Sequence, residues 1–329
     1  MQFPVAHEDE LLGSIIARFV QRQGLNDDKV ALDQLFGSRK IVPSSTLQGH
    51  ANQLLANVGH LWSVSAQDLV EQHTLIPIFR PFVAAKAYDR FVRDLCGEGK
   101  NHSKLRTGVN ASNIVWPSNF RVCPLCCQGQ SRRLGYRYWQ RLFQCPGVDA
   151  CPVHGCLLID TDIPLQSSRR HRFVSTQAIR KPVPAVSPLG DRKSVSLSSL
   201  VAELLRGEVA RVPNNHQWSR FYRALASQQD LCKGKGVRHR EIASRVRAFW
   251  GDGWLERQGL SLYAEDNWLV SMFRKHRRPF SFLQHFVCWL ALCDDKLVLN
   301  EVLGEVLLFS SQPPEKAVRI PANVNTHTG

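Results

Sequence analysis

Residues 121–158 read "RVCPLCCQGQSRRLGYRYWQRLFQCPGVDACPVHGCLL", and this stretch holds six of the ten cysteines in the chain. It contains two short pairs, Cys123-x2-Cys126 and Cys151-x2-His154, separated by 24 residues. In each pair a proline follows the first cysteine and favours a tight turn. Two such pairs can surround one ion with four ligands, which is the closed tetrahedral shell typical of structural zinc. The pattern predicts a Zn2+ site formed by these four residues.

Three neighbouring cysteines are competing ligands. Cys127 and Cys156 are adjacent to the two pairs, and Cys145 lies between them. We assign Cys127 and Cys156 to packing, because free cysteine behaves as a small buried hydrophobe. The role of Cys145 stays open at this point. Buried free thiols are the alternative to a metal site.

Composition suggests an intracellular protein with a polyanionic partner. The chain has 329 residues, a net charge of +14 and a pI near 9.6. This length favours several packed units, and the charge favours nucleic acid, although a generic basic surface is an alternative. Cysteines this sparse favour metal ligation in a reducing compartment. No apolar run suggests a membrane helix, and the start "MQFPVAHEDELL" lacks a signal pattern, so we expect a soluble cytoplasmic protein with no membrane partner.

The first 116 residues predict a helical domain that contains a helix-turn-helix unit. Apolar residues recur at helical spacing over residues 8–23. A second helix follows Asn26 or Asp27 and stops at Gly37. A third is expected from Ser45 to about residue 57, and a fourth is expected after Ser65, which forms a capping box with Asp68.

The third predicted helix is a candidate DNA-reading element. Its polar side is rich in amides, and no carboxylate occurs between residues 44 and 59. Amide side chains suit base edges in the major groove, although a neutral solvated face is equally consistent with this composition. A basic turn precedes the helix. The candidate DNA-binding residues of this region are Arg39, Lys40, Ser45, Gln48, His50 and Asn52.

The segment between the two metal-ligand pairs forms the centre of a predicted zinc-binding module over residues 117–165. No acid occurs from Cys127 to Val148. Arginines suit a phosphate-facing surface, because the guanidinium group pairs bidentately with phosphate. Trp139 and Phe143 are four residues apart, and we expect them in the core of a helix that bridges the two pairs. The arginines expected at the phosphate-facing surface are Arg132, Arg133, Arg137 and Arg141.

The rest of the chain predicts a linker, a second helical domain and a tail. Residues 166–199 are basic and rich in Ser and Pro, residues 200–310 resume helical patterns, and residues 311–329 are expected to be flexible. In "FRKHRRPFSFLQH" a basic turn separates two apolar helices, as in a second helix-turn-helix unit. A solvated basic turn is the alternative. The candidate DNA-binding residues here are Lys235, Arg238, Arg274, Lys275, Arg277, Arg278, Ser281, Gln284 and His285.

Motifs of common enzymes are missing from the sequence. It has no G-x-x-x-x-G-K-[ST], H-E-x-x-H or G-x-S-x-G motif, and its acids are scattered. A two-metal nuclease or transposase site needs convergent carboxylates, and none is apparent. We therefore expect a mostly α-helical multidomain protein, with helix-turn-helix units flanking a small zinc module, that binds rather than catalyses.

Several motifs resemble the TnsD branch of the TnsD/TniQ family of transposon target selectors. They are "FPVAHEDELLGSIIARF" at the start, "CPLC" and "CPVHG", "YWQR" between them, and "WLVSMFRKHRRPFSFLQH" near the end. The resemblance implies a sequence-specific DNA-binding protein that recognises a chromosomal attachment site and recruits a TnsC-type ATPase, which in turn brings the transposase. It also implies that Cys123, Cys126, Cys151 and His154 are zinc ligands.

Alternatives remain within and outside this family. A TniQ subunit of an RNA-guided CRISPR-associated transposon would read no DNA sequence itself, and a nuclease or a plain zinc-containing transcription regulator would belong to other classes. Longer TnsD-like proteins continue with another helical DNA-binding region, so this chain is expected to be either a short member or a shortened one.

Overall fold

The computed structural model describes residues 3–25, 27–59, 62–97, 113–166, 171–207, 209, 211–234, 236–293 and 297–311. Within these ranges the chain is mostly α-helical, with two small two-stranded antiparallel sheets. The predicted fold class is confirmed.

The N-terminal helices begin and end at the predicted signals. Asp27 caps the second helix by accepting a hydrogen bond from the Lys29 backbone N–H at 2.8 Å, and Gly37 ends it in the left-handed conformation at φ 66°. Ser65 and Asp68 form the predicted capping box. The helices are α1 (Leu12–Arg22), α2 (Asp28–Phe36), α3 (Ala51–Val58), α4 (Ala66–His73) and α5 (Ala85–Cys96), with a 3-10 segment at Ile76–Phe82.

The third helix is shorter than the sequence predicted. It begins at Ala51, because His50 adopts a left-handed backbone conformation with φ 66° that interrupts the helix. In the preceding turn Ser44 Oγ accepts a hydrogen bond from the Leu47 N–H at 3.1 Å. This local turn resembles a helix cap in sequence without starting a helix.

Two strands, one at the start and one at the end of the central module, pair with each other. β1 (Asn119–Val122) pairs antiparallel with β2 (Ile159–Pro164), and α6 (Pro124–Leu134) and a 3-10 turn (Leu142–Gln144) lie between them. Trp139 and Phe143 are buried as predicted. The predicted bridging helix is wrong, since α6 stops at Gly135, which is left-handed at φ 75°.

The C-terminal helices begin earlier than predicted. The interval predicted as a linker already contains the first two turns of α7, because Asp191 caps that helix by accepting from the Ser194 N–H at 2.9 Å. The C-terminal elements are α7 (Arg192–Arg206), α8 (Asn215–Gln228), β3 (Cys232–Lys233), β4 (Gly236–Val237), α9 (His239–Trp250), α10 (Asp252–Arg257), α11 (Trp268–Arg274), α12 (Phe282–Leu292) and α13 (Leu299–Leu308).

Buried apolar side chains from the N-terminal, central and C-terminal sections form a connected core. The 3-10 segment Ile76–Phe82 packs against α7 and α12, which joins the two helical sections. Gly147 of the central module lies so close to α12 that a Cβ there would be 2.5 Å from Leu283 Cδ1. The division into five regions stays a prediction. Among the described residues, no helix has the length and apolarity required to cross a membrane.

Candidate metal centre and cationic surfaces

Four side chains from the two predicted pairs converge on one point. The ligand atoms of Cys123, Cys126, Cys151 and His154 all lie within 4.8 Å of one another. His154 Nδ1 is 3.5, 3.4 and 3.5 Å from the three sulfurs in that order, and the Cys126 and Cys151 sulfurs are 3.8 Å apart. Bonds of about 2.0 to 2.3 Å in a tetrahedron give edges of about 3.3 to 3.8 Å. These four distances match a tetrahedral metal site, and the four residues could hold one metal ion.

Local backbone structure sets these ligands in place. Cys123 follows β1 directly and is the N-cap of α6, so Cys126 lies in the first turn of that helix and its N–H donates to Cys123 Sγ at 3.4 Å. The second pair lies on a tight turn, in which the Gly155 N–H donates to the Cys151 carbonyl at 2.8 Å and Gly155 is left-handed at φ 66°. A strand end and a turn thus present the two pairs to each other.

The thiol cluster favours a cation. Hydrogen bonds from Cys123 and then Cys126 lower the pKa of Cys151, which stabilises a thiolate inside the cluster. Three sulfurs and an imidazole nitrogen at these distances are the ligand set that a soft or borderline divalent ion prefers.

The other cysteines of the module are buried and pack in its interior. Burial raises the pKa of Cys127 and of Cys145, and Cys145 Sγ donates to the Arg141 carbonyl at 3.8 Å. Burial and contact with Cys123 raise the pKa of Cys156 to about 12. Cys156 Sγ lies 3.5 Å from Cys123 Sγ, next to the four ligands but outside their set.

Arg141 connects the metal module to both helical sections instead of facing phosphate. It is 6% exposed, and its guanidinium forms an ion pair with Asp9 at 3.3 Å. The same group donates to the carbonyls of Glu71 at 2.8 Å, Thr74 at 3.2 Å and Leu205 at 3.4 Å. The predicted surface role of Arg141 is wrong, because its donors are already satisfied in the interior.

A second buried ion pair fixes the start of the chain to α1. Glu10 is fully buried and accepts from Arg18 Nε at 2.9 Å, Arg18 Nη2 at 2.7 Å, Ser14 Oγ at 2.8 Å and the His7 N–H at 3.2 Å. Arg18 and Arg22 also lie over the Tyr136 ring, at 5.0 and 5.5 Å from its centroid. Residues of the "HEDE" and "YRYWQR" motifs therefore pack together and connect α1 to the metal module.

Sequence reasoning did not identify Asp9, Glu10 and Arg18 as scaffold residues. The available signal was three adjacent acids at the edge of an apolar helix, followed by an arginine eight residues after the third acid, on the same helical side. That spacing is compatible with a buried pair, but an exposed pair has the same sequence pattern.

Most of the predicted phosphate-binding residues lie at the surface. Arg137 is half-buried, and Asn52 is exposed on α3. Arg274 lies close enough to the start of α9 to lower the pKa of His239, after the larger effect of burial. The end of α11 and the start of α9 are therefore neighbours. The exposed cations are Arg39, Lys40, Arg132, Arg133, Arg238, Arg274, Lys275, Arg277 and Arg278.

Three candidates before α3 do not lie on a reading helix. Gln48 is 2% exposed, and its side chain accepts from the Ser44 N–H and donates to the Gly49 carbonyl, both at 2.9 Å. Ser45 is half-buried and donates to the Leu165 carbonyl. His50 is half-buried and edge-on to Phe36 at 6.2 Å. The base-reading role of Gln48 is wrong, since its amide completes the turn.

The helix predicted to read bases near the C-terminus is a core helix. Gln284 is 7% exposed and closes a capping box, accepting from the Ser281 N–H at 2.9 Å. His285 is 1% exposed, and its Nδ1 is 2.9 Å from the Tyr222 hydroxyl. A helix that is apolar on nearly all sides is buried. The base-contact roles of Gln284 and His285 are therefore wrong. Ser281 is the N-cap of α12, and Lys235 lies outside the described residues.

His73 is expected to make stability depend on pH. Its Nδ1 lies 2.8 Å from the Glu10 carbonyl, and burial lowers its pKa to about 4. As pH falls from about 6.5 to 4, the unfolded chain binds a proton at this residue that the folded chain does not, so the free energy of unfolding drops, by up to about 3 kcal/mol. His73→Asn keeps a donor for the carbonyl and removes this titration.

The measurement is the free energy of unfolding by urea at several pH values for both proteins. The gap between them should change in favour of the variant as pH falls. Burial raises the pKa of Asp9 to about 6, which has the opposite effect, but Asp9 is present in both proteins and cancels in the difference. Parallel pH curves would refute the assignment.

Comparison with known proteins places the metal centre inside a family domain. Residues 1–158 match the family model described as TniQ, a range that includes all four ligands. Over 312 residues the chain is 34% identical to the transposon Tn7 transposition protein TnsD of Escherichia coli. The aligned region covers 92% of this chain and 60% of that protein. The chain thus spans about 60% of the length of the curated relative it matches. Residues 1–158 thus form a TniQ-family domain, and most of the chain is similar to TnsD.

Proposed function

We propose that this chain is a DNA-binding target selector of a Tn7-type transposon. In this role it recognises a chromosomal attachment site and recruits a TnsC-type ATPase, which brings the transposase. The observation that carries the proposal is the similarity to Tn7 TnsD over 92% of the chain. The similar region includes the metal ligands and the exposed cations of residues 274–278. The proposal assigns no catalytic step to the chain.

In this proposal the metal centre has a structural role. A four-ligand shell leaves no coordination position for a substrate, so a bound Zn2+ ion would stabilise the module rather than activate water. The module joins α1 through hydrogen bonds from the Leu11 N–H to the Trp139 carbonyl at 3.0 Å and from the Trp139 N–H to Ser14 Oγ at 3.1 Å. The ion would thereby hold the N-terminal helices in a fixed position beside Arg132 and Arg133.

Exposed cationic side chains and exposed amide side chains have different roles in the proposed DNA contact. Arginine and lysine bind phosphates irrespective of sequence, and amides distinguish bases. Because Gln48, Gln284 and His285 are buried, Asn52 on α3 is the remaining predicted base-contact side chain that the structure exposes fully. The proposed surface therefore relies mainly on phosphate contacts, with sequence reading assigned to α3.

Removing two cations from the loop after α11 should weaken binding to every DNA sequence. We expect Arg277→Ala with Arg278→Ala to make the slope of log K against log salt less negative by about 2, because each phosphate contact contributes about 0.9. Fluorescence anisotropy across a salt series measures the slope. Lys86→Ala with Arg90→Ala is the matched control, since both residues are exposed on α5. An unchanged slope in the loop variant would exclude the loop from the interface.

Asn52→Ala should act on specificity instead. We expect the preference for the attachment sequence over unrelated DNA to fall by roughly 1 to 3 kcal/mol, as for a lost bidentate base contact, with little change in salt slope. Competition binding with the two DNAs measures this ratio. Gln67→Ala, which removes an exposed amide from α4, is the control. Equal discrimination by Asn52→Ala and the natural chain would remove Asn52 from the site.

A gel shift with purified protein and transposon-flanking DNA tests the proposal as a whole. The expected result is a specific complex without guide RNA and co-elution with a TnsC-type ATPase. Binding that requires an RNA-guided complex would favour a TniQ subunit instead. Metal-dependent cleavage of the DNA would contradict a purely binding role, and failure to bind the ATPase would favour a transcription regulator.

A further inference from the structure

Residues 273–280 include the last turn of α11 and the loop that connects it to α12, and we call this segment the cationic loop. It alternates between buried rings and exposed cations. Phe273, His276 and Phe280 are 2%, 4% and 5% exposed. The four cations between these rings are exposed and come in two pairs, one on each side of His276. The rings thus hold the loop at three points, and the cations occupy the two spans between them. The cations are Arg274, Lys275, Arg277 and Arg278.

His276 is the middle point of attachment. Its ring lies edge-on to Phe280 at 4.7 Å and to Tyr222 at 5.4 Å, and it stacks on His285 at 5.9 Å. Its backbone N–H donates to Ser219 Oγ at 2.9 Å. The loop is therefore attached to α8 and α12 through both side chain and main chain.

This burial has a cost that a simple surface turn would avoid. Among the residues that the structure describes, neither ring nitrogen of His276 has a hydrogen-bond partner. Burial also lowers the pKa of His276 to about 4, so the ring is neutral at pH 7. Since an unsatisfied buried polar group destabilises a fold, the aromatic packing must offset this cost.

Attachment of the loop keeps four positively charged side chains close together. No acid occurs from residue 267 to 293, so this segment carries no carboxylate to neutralise the four cations of the loop. Like charges so close together repel and would spread apart in a free loop. A fixed loop instead presents them together, and preorganised groups lose less entropy on binding a polyanion.

We propose that His276 is a positioning residue, whose packing against α8 and α12 fixes the cationic loop as a rigid phosphate-binding surface. The inference rests on the proposed DNA-binding function. It assigns the neutral ring a role through its shape, and the phosphates contact the neighbouring arginines and lysine.

The test compares His276→Ala, Ser219→Ala and His276→Phe with the loop variant Arg277→Ala/Arg278→Ala, using the full chain and duplex DNA across a salt series. His276→Ala should bind all sequences about tenfold more weakly, with a slope less negative by about 1 to 2, although every cation is retained. Ser219→Ala removes the main-chain attachment of the loop and the hydrogen bond from the hydroxyl to the Asn215 carbonyl within α8, and it should lose about two- to threefold in affinity. His276→Phe refills the aromatic site and should stay within about twofold of the natural chain.

The outcomes separate this inference from the proposed function. A merely structural role would lower the fraction of active protein without changing the salt slope of the active molecules, and that result would overturn the proposal. An unchanged slope in His276→Ala together with a changed slope in the loop variant would do the same. If neither slope changes, the loop does not contact DNA. That result would overturn both the positioning role of His276 and the assignment of the loop to the DNA-binding surface. If His276→Ala does not fold, unchanged affinity of Ser219→Ala overturns the proposal, and the expected loss supports it.

Discussion

Cys126→Ser is expected to abolish stoichiometric metal binding and to unfold the central module. A structural Zn2+ ion contributes about 10 to 16 kcal/mol in small zinc domains, which is comparable to the whole stability of many folded domains. Here the module also packs on α1 and α12, and this packing remains without the ion. We therefore expect the free energy of unfolding to fall by several kcal/mol, which corresponds to a melting temperature lower by roughly 10 °C or more. Elemental analysis and thermal unfolding measure the two effects.

Two other cysteines serve as controls for this substitution. Cys156→Ala tests ligand identity, because Cys156 Sγ lies 3.5 Å from Cys123 Sγ but outside the four-ligand set. Cys96→Ser removes a half-buried thiol from α5, away from the ligands. Both controls should keep one equivalent of metal. A Cys126→Ser protein that retains a full equivalent and its melting temperature would contradict the assignment of ligands.

Arg18→Met is expected to destabilise the fold by about 3 to 5 kcal/mol. The substitution leaves the fully buried Glu10 without its cationic partner, and an uncompensated buried charge is more costly than the loss of the pair. Burial already raises the pKa of Glu10, and loss of the arginine should raise that pKa further. Urea unfolding measures the change in free energy.

A double-mutant cycle shows whether the effect belongs to the pair. Glu10→Gln with Arg18→Met removes both charges and should recover much of the lost stability, giving a coupling energy above about 1 kcal/mol. Strictly additive losses in the two single variants would show that Glu10 and Arg18 act independently. The exposed pair Arg240 and Glu265, 3.2 Å apart, is the matched control, and its disruption should change stability by less than about 1 kcal/mol.

The sequence was informative where a residue's chemistry restricts its environment. The spacing of Cys123, Cys126, Cys151 and His154 predicted the set of four converging side chains, because few arrangements other than a metal site bring such pairs together. The caps at Asp27 and Ser65 were also predictable, since their hydrogen bonds are local.

The sequence was misleading where a polar side chain finds its partner far along the chain or inside a turn. His285 and Tyr222 are 63 residues apart, and Arg141 reaches Asp9 across 132 residues. Before folding, nothing distinguishes such residues from surface donors. The start of α7 was missed for a related reason, because its first turn is polar and its apolar stripe begins only at Leu197.

The most direct test of the central claim, that this chain itself recognises an attachment sequence, is a footprint on chromosomal DNA beside an inserted element. The proposal predicts one protected segment at a fixed distance from the insertion point, with the purified metal-loaded chain and no RNA. Protection should disappear after chelation and return when Zn2+ is restored. Uniform protection along the whole DNA, or none at any protein concentration that binds DNA, would contradict the proposal.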